Sequence, residues 1–141
     1  MSAPRTMAFA RHHRSYVVTV HSARAPSDAE WDAYLRDTGE YLPELRGVLI
    51  VTDGGGPTSS QRRSLKKLFE EQPHFNAFFA VISSSLVARG IVLAINLFNP
   101  YIRAFRPEDI DRALKFLRVP EPERPSLLAM AKQLRGQLDD A

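Results

Sequence analysis

The sequence predicts an α/β fold, a mixed and mainly parallel sheet flanked by helices, with an extra C-terminal helix. Two apolar runs, Gly47-Val-Leu-Ile-Val-Thr52 and Ala77-Phe-Phe-Ala-Val-Ile82, lack the polar alternation of a half-solvated strand and read as strands covered on both faces. Helical periodicity lies between and after them, and strand alternating with helix is the pattern of a layered α/β unit. The 141 residues match the size of one such unit with a single core.

The elements follow in order. Residues 1–14 read as a basic N-terminal arm, or as an edge strand around Phe9 to Arg11 pairing with the next element. Ser15-Tyr-Val-Val-Thr-Val-His21 is β-branched with a two-residue alternation and predicts a strand over 16–21. Ser27 or Asp28 caps a helix in which Trp31, Tyr34, Leu35 and Tyr41 recur at helical spacing until Pro43 stops it. After the strand at 48–52, Thr58 and Gln61 make a capping box for a second helix. It carries Leu65, Leu68 and Phe69 on one face, Arg62, Arg63, Lys66 and Lys67 elsewhere, and ends at Pro73. Beyond the strand at 77–82, Ser83 to Ser85 offer a cap for a helix over Leu86 to Phe98, closed by Asn99-Pro100. Tyr101 to Phe105 is the last strand, and Pro107 opens a helix through Leu117. Residues 119–125 hold three of the ten prolines and read as a stiff linker. Residues 126–141, with Leu127, Met130, Leu134 and Leu138 in register, read as a terminal amphipathic helix.

Composition excludes several functions. With no cysteine there is no disulfide framework, thiolate nucleophile or Cys-containing zinc site, and a reducing cytoplasm is the expected location. No membrane span is expected, because the longest apolar stretch, Leu86 to Phe98, is too short and is broken by Arg89, Gly90 and Asn96. No signal-peptide run opens the sequence. The net charge of +3 is local. Residues 1–24 carry Arg5, Arg11, Arg14 and Arg24 and no acid, whereas the rest hold 15 Lys+Arg against 16 Asp+Glu. A basic arm without interleaved aromatics or a recognisable motif argues against nucleic-acid binding.

The element order, the strand-to-loop Val48-Leu-Ile-Val-Thr-Asp53 leading into a Ser/Thr-containing helix start, and the closing stretch Ile102-Arg-Ala-Phe-Arg-Pro-Glu-Asp-Ile-Asp-Arg-Ala-Leu-Lys-Phe-Leu117 carry a resemblance. Residues 15–118 resemble a STAS domain, most closely the SpoIIAA-like branch named after anti-sigma-factor antagonists and often grouped with lipid-binding SEC14-like domains. In the antagonists a helix-start serine of an Asp-Ser-Ser-Gly type motif is phosphorylated by a partner kinase. Here Asp53-Gly-Gly-Gly-Pro-Thr-Ser-Ser60 holds the aspartate and the serines several residues apart.

That loop is the first candidate site. Gly54, Gly55 and Gly56 followed by a helix start can present unpaired N–H groups to an anion, and Thr58, Ser59 and Ser60 are the candidate phosphorylation or anion-binding residues. The bland alternative is a tight glycine turn with Thr58 as a plain cap. The run has no P-loop lysine and no dinucleotide-binding spacing. Asp53, at a strand end, lacks the acidic pair and lysine of a receiver-type site and is read as capping its own turn. His12 and His13 sit in the arm, His21 near a strand end and His74 after Pro73, giving no helical metal pair. Ser83 to Ser85 lack a nucleophile elbow. No catalytic residue, metal or cofactor is assigned.

The helix at 86–98 is the second candidate. Its apolar residues cover more than half the circumference, beyond the roughly 100° stripe a surface helix needs. The C-terminal helix can cover the excess. Otherwise Leu86, Leu93, Ile95, Leu97 and Phe98 form a homodimer or partner interface, or the helix walls a lipid pocket. The function expected is therefore a non-enzymatic regulatory or scaffolding module that contacts a protein partner or itself, with a kinase acting at the Thr58 to Ser60 helix start. The alternative is a small-molecule or lipid carrier with an apolar pocket beside helix 86–98.

Overall fold

The computed structural model describes residues 4–72 and 77–139; the predicted helix stop at Pro73, His74 and the chain's first three and last two residues lie outside them. Five strands form one sheet in chain order: β1 (Met7–His12), β2 (Tyr16–His21), β3 (Gly47–Thr52), β4 (Phe78–Ile82) and β5 (Ile102–Phe105). β1 returns antiparallel onto β2, and the remaining neighbours pair in parallel, with Val18 beside Leu49 and Leu49 beside Ala80. The N-terminal segment is thus an edge strand from Met7 onward. Two of its arginines are engaged: Arg11 pairs with Asp37 at 3.0 Å and stacks 3.2 Å from the Tyr41 ring centroid, and Arg14 pairs with Glu44.

The unreversed strand order decides where the helices go. Each right-handed crossover steps the same way along the sheet, so each connecting helix falls on the same face. These are α1 (Asp28–Glu40), α2 (Ser59–Glu70) and α3 (Leu86–Asn96). Val17, Val48 and Phe79 pack with Trp31 and Tyr34 of α1 and with Leu65 and Leu68 of α2. The alternate residues Val18, Val20, Leu49, Ala80 and Ile82 face α4 (Ile110–Phe116) and α5 (Arg124–Arg135), whose Ala113, Leu114, Leu127 and Leu134 are buried there. Helices therefore cover both faces, as the doubly apolar strands require.

The helix starts follow local chemistry. Ser27 and Glu30 complete one capping box and Thr58 and Gln61 another, while Ser85 caps α3 by accepting from the Ala88 N–H. The far end departs from expectation. Where the prolines suggest a stiff linker, Val119 is buried in the core and Glu121–Glu123 form a 3-10 turn leading straight into α5. α5 lies on β2 and β1, not over α3, so it leaves the apolar excess of α3 uncovered.

Candidate functional site

The carboxyl ends of β2, β3 and β4 open under α3 into a cavity of about 380 Å³. Its floor is the sheet, through Ile50, Phe79 and Val81, its walls are Trp31 and Tyr34 of α1, Leu65 of α2 and Ala88, Val92 and Ile95 of α3, and Ile102 closes one end. The wall residues are fixed from outside the cavity. The Trp31 Nε1–H donates to the Gln61 carbonyl at 2.9 Å, and the Gln61 amide donates to the Pro26 carbonyl and the Asp28 carboxylate, locking α2 to the start of α1. The Thr19 hydroxyl bonds the Tyr34 hydroxyl at 3.1 Å, and full burial pushes that phenol up to about 12.

The strand ends place two polar side chains among these apolar walls, Thr52, which caps the glycine turn, and His21. His21, the last residue of β2, lines the cavity, and its Nδ1 is buried with no hydrogen-bond partner among the described residues. Burial holds the imidazole at about 4, against a smaller opposing pull from Glu30, so it is neutral at physiological pH. Glu30 itself is tied down. Burial acts to raise its pKa, but hydrogen bonds from Thr6, Ser27 and Met7 outweigh this and lower it.

The glycine loop forms the cavity rim, with Gly54, Gly55, Gly56 and Pro57 beside Arg62. Gly54 has φ 127°, which L side chains rarely adopt, and a Cβ on Gly55 would run into the main-chain carbonyls of Ser22 and Arg24. The turn is capped by Thr52, whose hydroxyl accepts from the Gly54 N–H at 3.0 Å and donates to the Gly55 carbonyl. This corrects the reading of Asp53. Continuing the alternation of β3, Asp53 turns away from Thr52 toward the α5 side and pairs with Arg135 at 2.7 Å. At the start of α2, Thr58 is engaged in its capping box, and Ser59 accepts from Arg62 at 3.0 Å while Arg62 also donates to the Pro57 carbonyl. Ser59 and Ser60 are exposed.

The excess apolar surface of α3 divides in two. Ala88, Ile91, Val92 and Ile95 line the cavity, so Ile95 belongs to the inner wall and not with the outward row. Leu86, Val87, Leu93, Leu97 and Phe98 are exposed, the last two by 76% and 91%. One side of α3 thus faces the cavity and the other faces outward. Sequence reasoning did not single out His21. The available signal was Thr19 and His21 on one face of a strand whose other residues are apolar.

No helix among the described residues is long and apolar enough to cross a membrane. No protein-family model and no curated protein matches the chain. Among solved structures the chain is similar to an uncharacterized protein of the DUF3478 family with a SpoIIAA-like fold from Shewanella loihica PV-4. The TM-score is 0.58 at 18% identity, over 83% of this chain and 98% of that one. The fold is SpoIIAA-like, in agreement with the resemblance carried by the sequence.

Proposed function

We propose that the protein is a non-enzymatic binding module that takes an apolar small molecule or a lipid chain into the cavity under α3. The observation that carries this is the cavity itself: its volume falls in the range of roughly 300–1,000 Å³ typical of ligand pockets, and its walls are mainly apolar, with His21 and Thr52 at the strand ends and Arg62 at the rim. Each methylene moved from water to such walls contributes about 0.8 kcal/mol, so a chain of about eight carbons supplies about 6 kcal/mol before ordering costs. The His21 imidazole offers one hydrogen bond at depth, and Arg62 beside Gly54 to Pro57 favours a ligand with an anionic end at the mouth.

A regulatory role through protein contact has its own support in the exposed row Leu86, Val87, Leu93, Leu97 and Phe98. In this reading the outer face of α3 meets a partner or a second copy, and a kinase acting on Ser59 or Ser60 switches the contact. The two readings are compatible, because the same helix walls the cavity on one side and faces outward on the other.

The experiment is native mass spectrometry of protein purified from its own cells, together with titration of a fluorescent fatty acid into wild type, Val92→Phe and Ile95→Trp. The proposal expects a retained apolar mass or saturable probe binding, lost when a cavity wall is enlarged. Absence of both in wild type, or probe binding unchanged in folded variants, overturns it.

A further inference from the structure

We propose that His12, His13 and Glu123 form a binding site for a divalent transition-metal ion of the zinc type. The three residues are far apart in sequence, and the fold brings them together. His12 ends β1, His13 begins the turn into β2, and Glu123 closes the 3-10 turn before α5. Adjacent residues of a strand point to opposite faces. His13 escapes that rule because it has left the strand and takes φ 54°, a left-handed conformation uncommon outside glycine, and its ring lies 4.4 Å from that of His12.

The donor atoms already converge. Glu123 Oε1 lies 3.5 Å from His13 Nε2 and 3.8 Å from His12 Nε2, and one atom from each residue falls within 4.8 Å of the others. Both separations exceed the roughly 2.7–3.2 Å of an N–H···O hydrogen bond. They approach the edge of about 3.3 Å that a tetrahedron built on metal–ligand bonds of about 2.0–2.1 Å would have. His12 Nε2 is buried and has no hydrogen-bond partner among the described residues, a state that costs free energy until something satisfies it. Glu123 makes no ion pair with an arginine or lysine among the described residues, and its carboxylate lies against the two imidazoles.

The ligand set names the class of ion. Two imidazoles and one carboxylate suit zinc, nickel or copper, whereas magnesium and calcium seek all-oxygen shells. His13 is 70% exposed on its side chain, which leaves a remaining coordination position open to water. An ion here would clip the β1–β2 turn to the start of α5 and close a loop of about 110 residues, so binding should stabilise the whole fold.

The test uses the chain without an affinity tag and follows zinc, nickel and magnesium titrations by calorimetry, with thermal melts in parallel. The expected result is one saturable zinc per chain, a higher melting temperature with zinc, and no response to magnesium. His13→Asn and Glu123→Gln should abolish saturable binding and the zinc-dependent shift. Asn tolerates the left-handed backbone and both side chains are partly exposed, so the metal-free melts of these variants should stay near wild type. No saturable zinc binding by wild type, or binding undiminished in both variants, overturns the site.

Discussion

Lowering the pH should destabilise the protein through His21 by an amount that can be worked out beforehand. The imidazole is held at about 4 in the folded chain, against 6.5 when free, because protonation would place a charge under α3 beside apolar walls. A depressed histidine costs no stability above 6.5. As the pH falls below that value the unfolded chain takes up a proton that the folded chain refuses, and stability drops by roughly 1.4 kcal/mol per pH unit until about 4. The full loss is about 3 kcal/mol, a large share of the roughly 5–15 kcal/mol that holds a domain together. Glu30 acts in the same direction but lower down, since its pKa lies below its ordinary 4.5 and its contribution fades only as the pH falls past that value. Urea unfolding of wild type and His21→Leu between about pH 7.5 and about pH 4.5 isolates the effect. Wild type should lose stability relative to the variant across that window. Parallel curves would refute the reasoning and show that the imidazole is solvated or partnered in solution.

Other outcomes follow from the geometry. Gly55→Ala should cost roughly 1–3 kcal/mol in chemical denaturation, since its Cβ meets main-chain carbonyls that cannot rotate away. Gly90→Ala should raise stability by about 0.5–1 kcal/mol, because the Cβ enters open space in the middle of α3. Leu127→Ala should cost about 2–5 kcal/mol, a loss that a loosely attached terminal helix would not show. Leu93→Glu and Leu97→Glu should leave the melting temperature within a few degrees of wild type and move any dimer or complex toward monomer in sedimentation; a large melting shift would place these side chains in the core.

Much of the fold was legible because its signals are local. The strand at Tyr16–His21, the two capping boxes and the buried runs at β3 and β4 each rest on residues within a few positions of one another. The course of the C-terminal segment was not legible in that way. Its prolines suggest a spacer, and only the packing of Leu127 against β1 and β2, more than a hundred residues away, makes Val119 part of the core. The glycine loop and Thr58 were identifiable as a turn and a cap, but Asp53 pairs with Arg135 through a contact that no local spacing announces. Apolar periodicity showed that α3 had too much apolar surface. It could not assign Ile95 to a cavity wall and Leu97 to the outside, since both are equally apolar and differ only in what lies opposite.

The docking of α5 on the first two strands also bears on how the protein is made. During synthesis the β1–β2 hairpin leaves the ribosome early, and the Val17 and Val48 side of the sheet finds α1 and α2 soon after. On the opposite side α4 packs on β4 first, but the part over β1 and β2 around Val18 and Val20 waits for residues 127–134, because α5 covers those strands. A nascent chain that has completed its sheet but not α5 presents water with apolar surface that the finished protein hides. Closure of that face therefore waits for α5, and until then a chaperone that shields nascent chains would find its binding surface there.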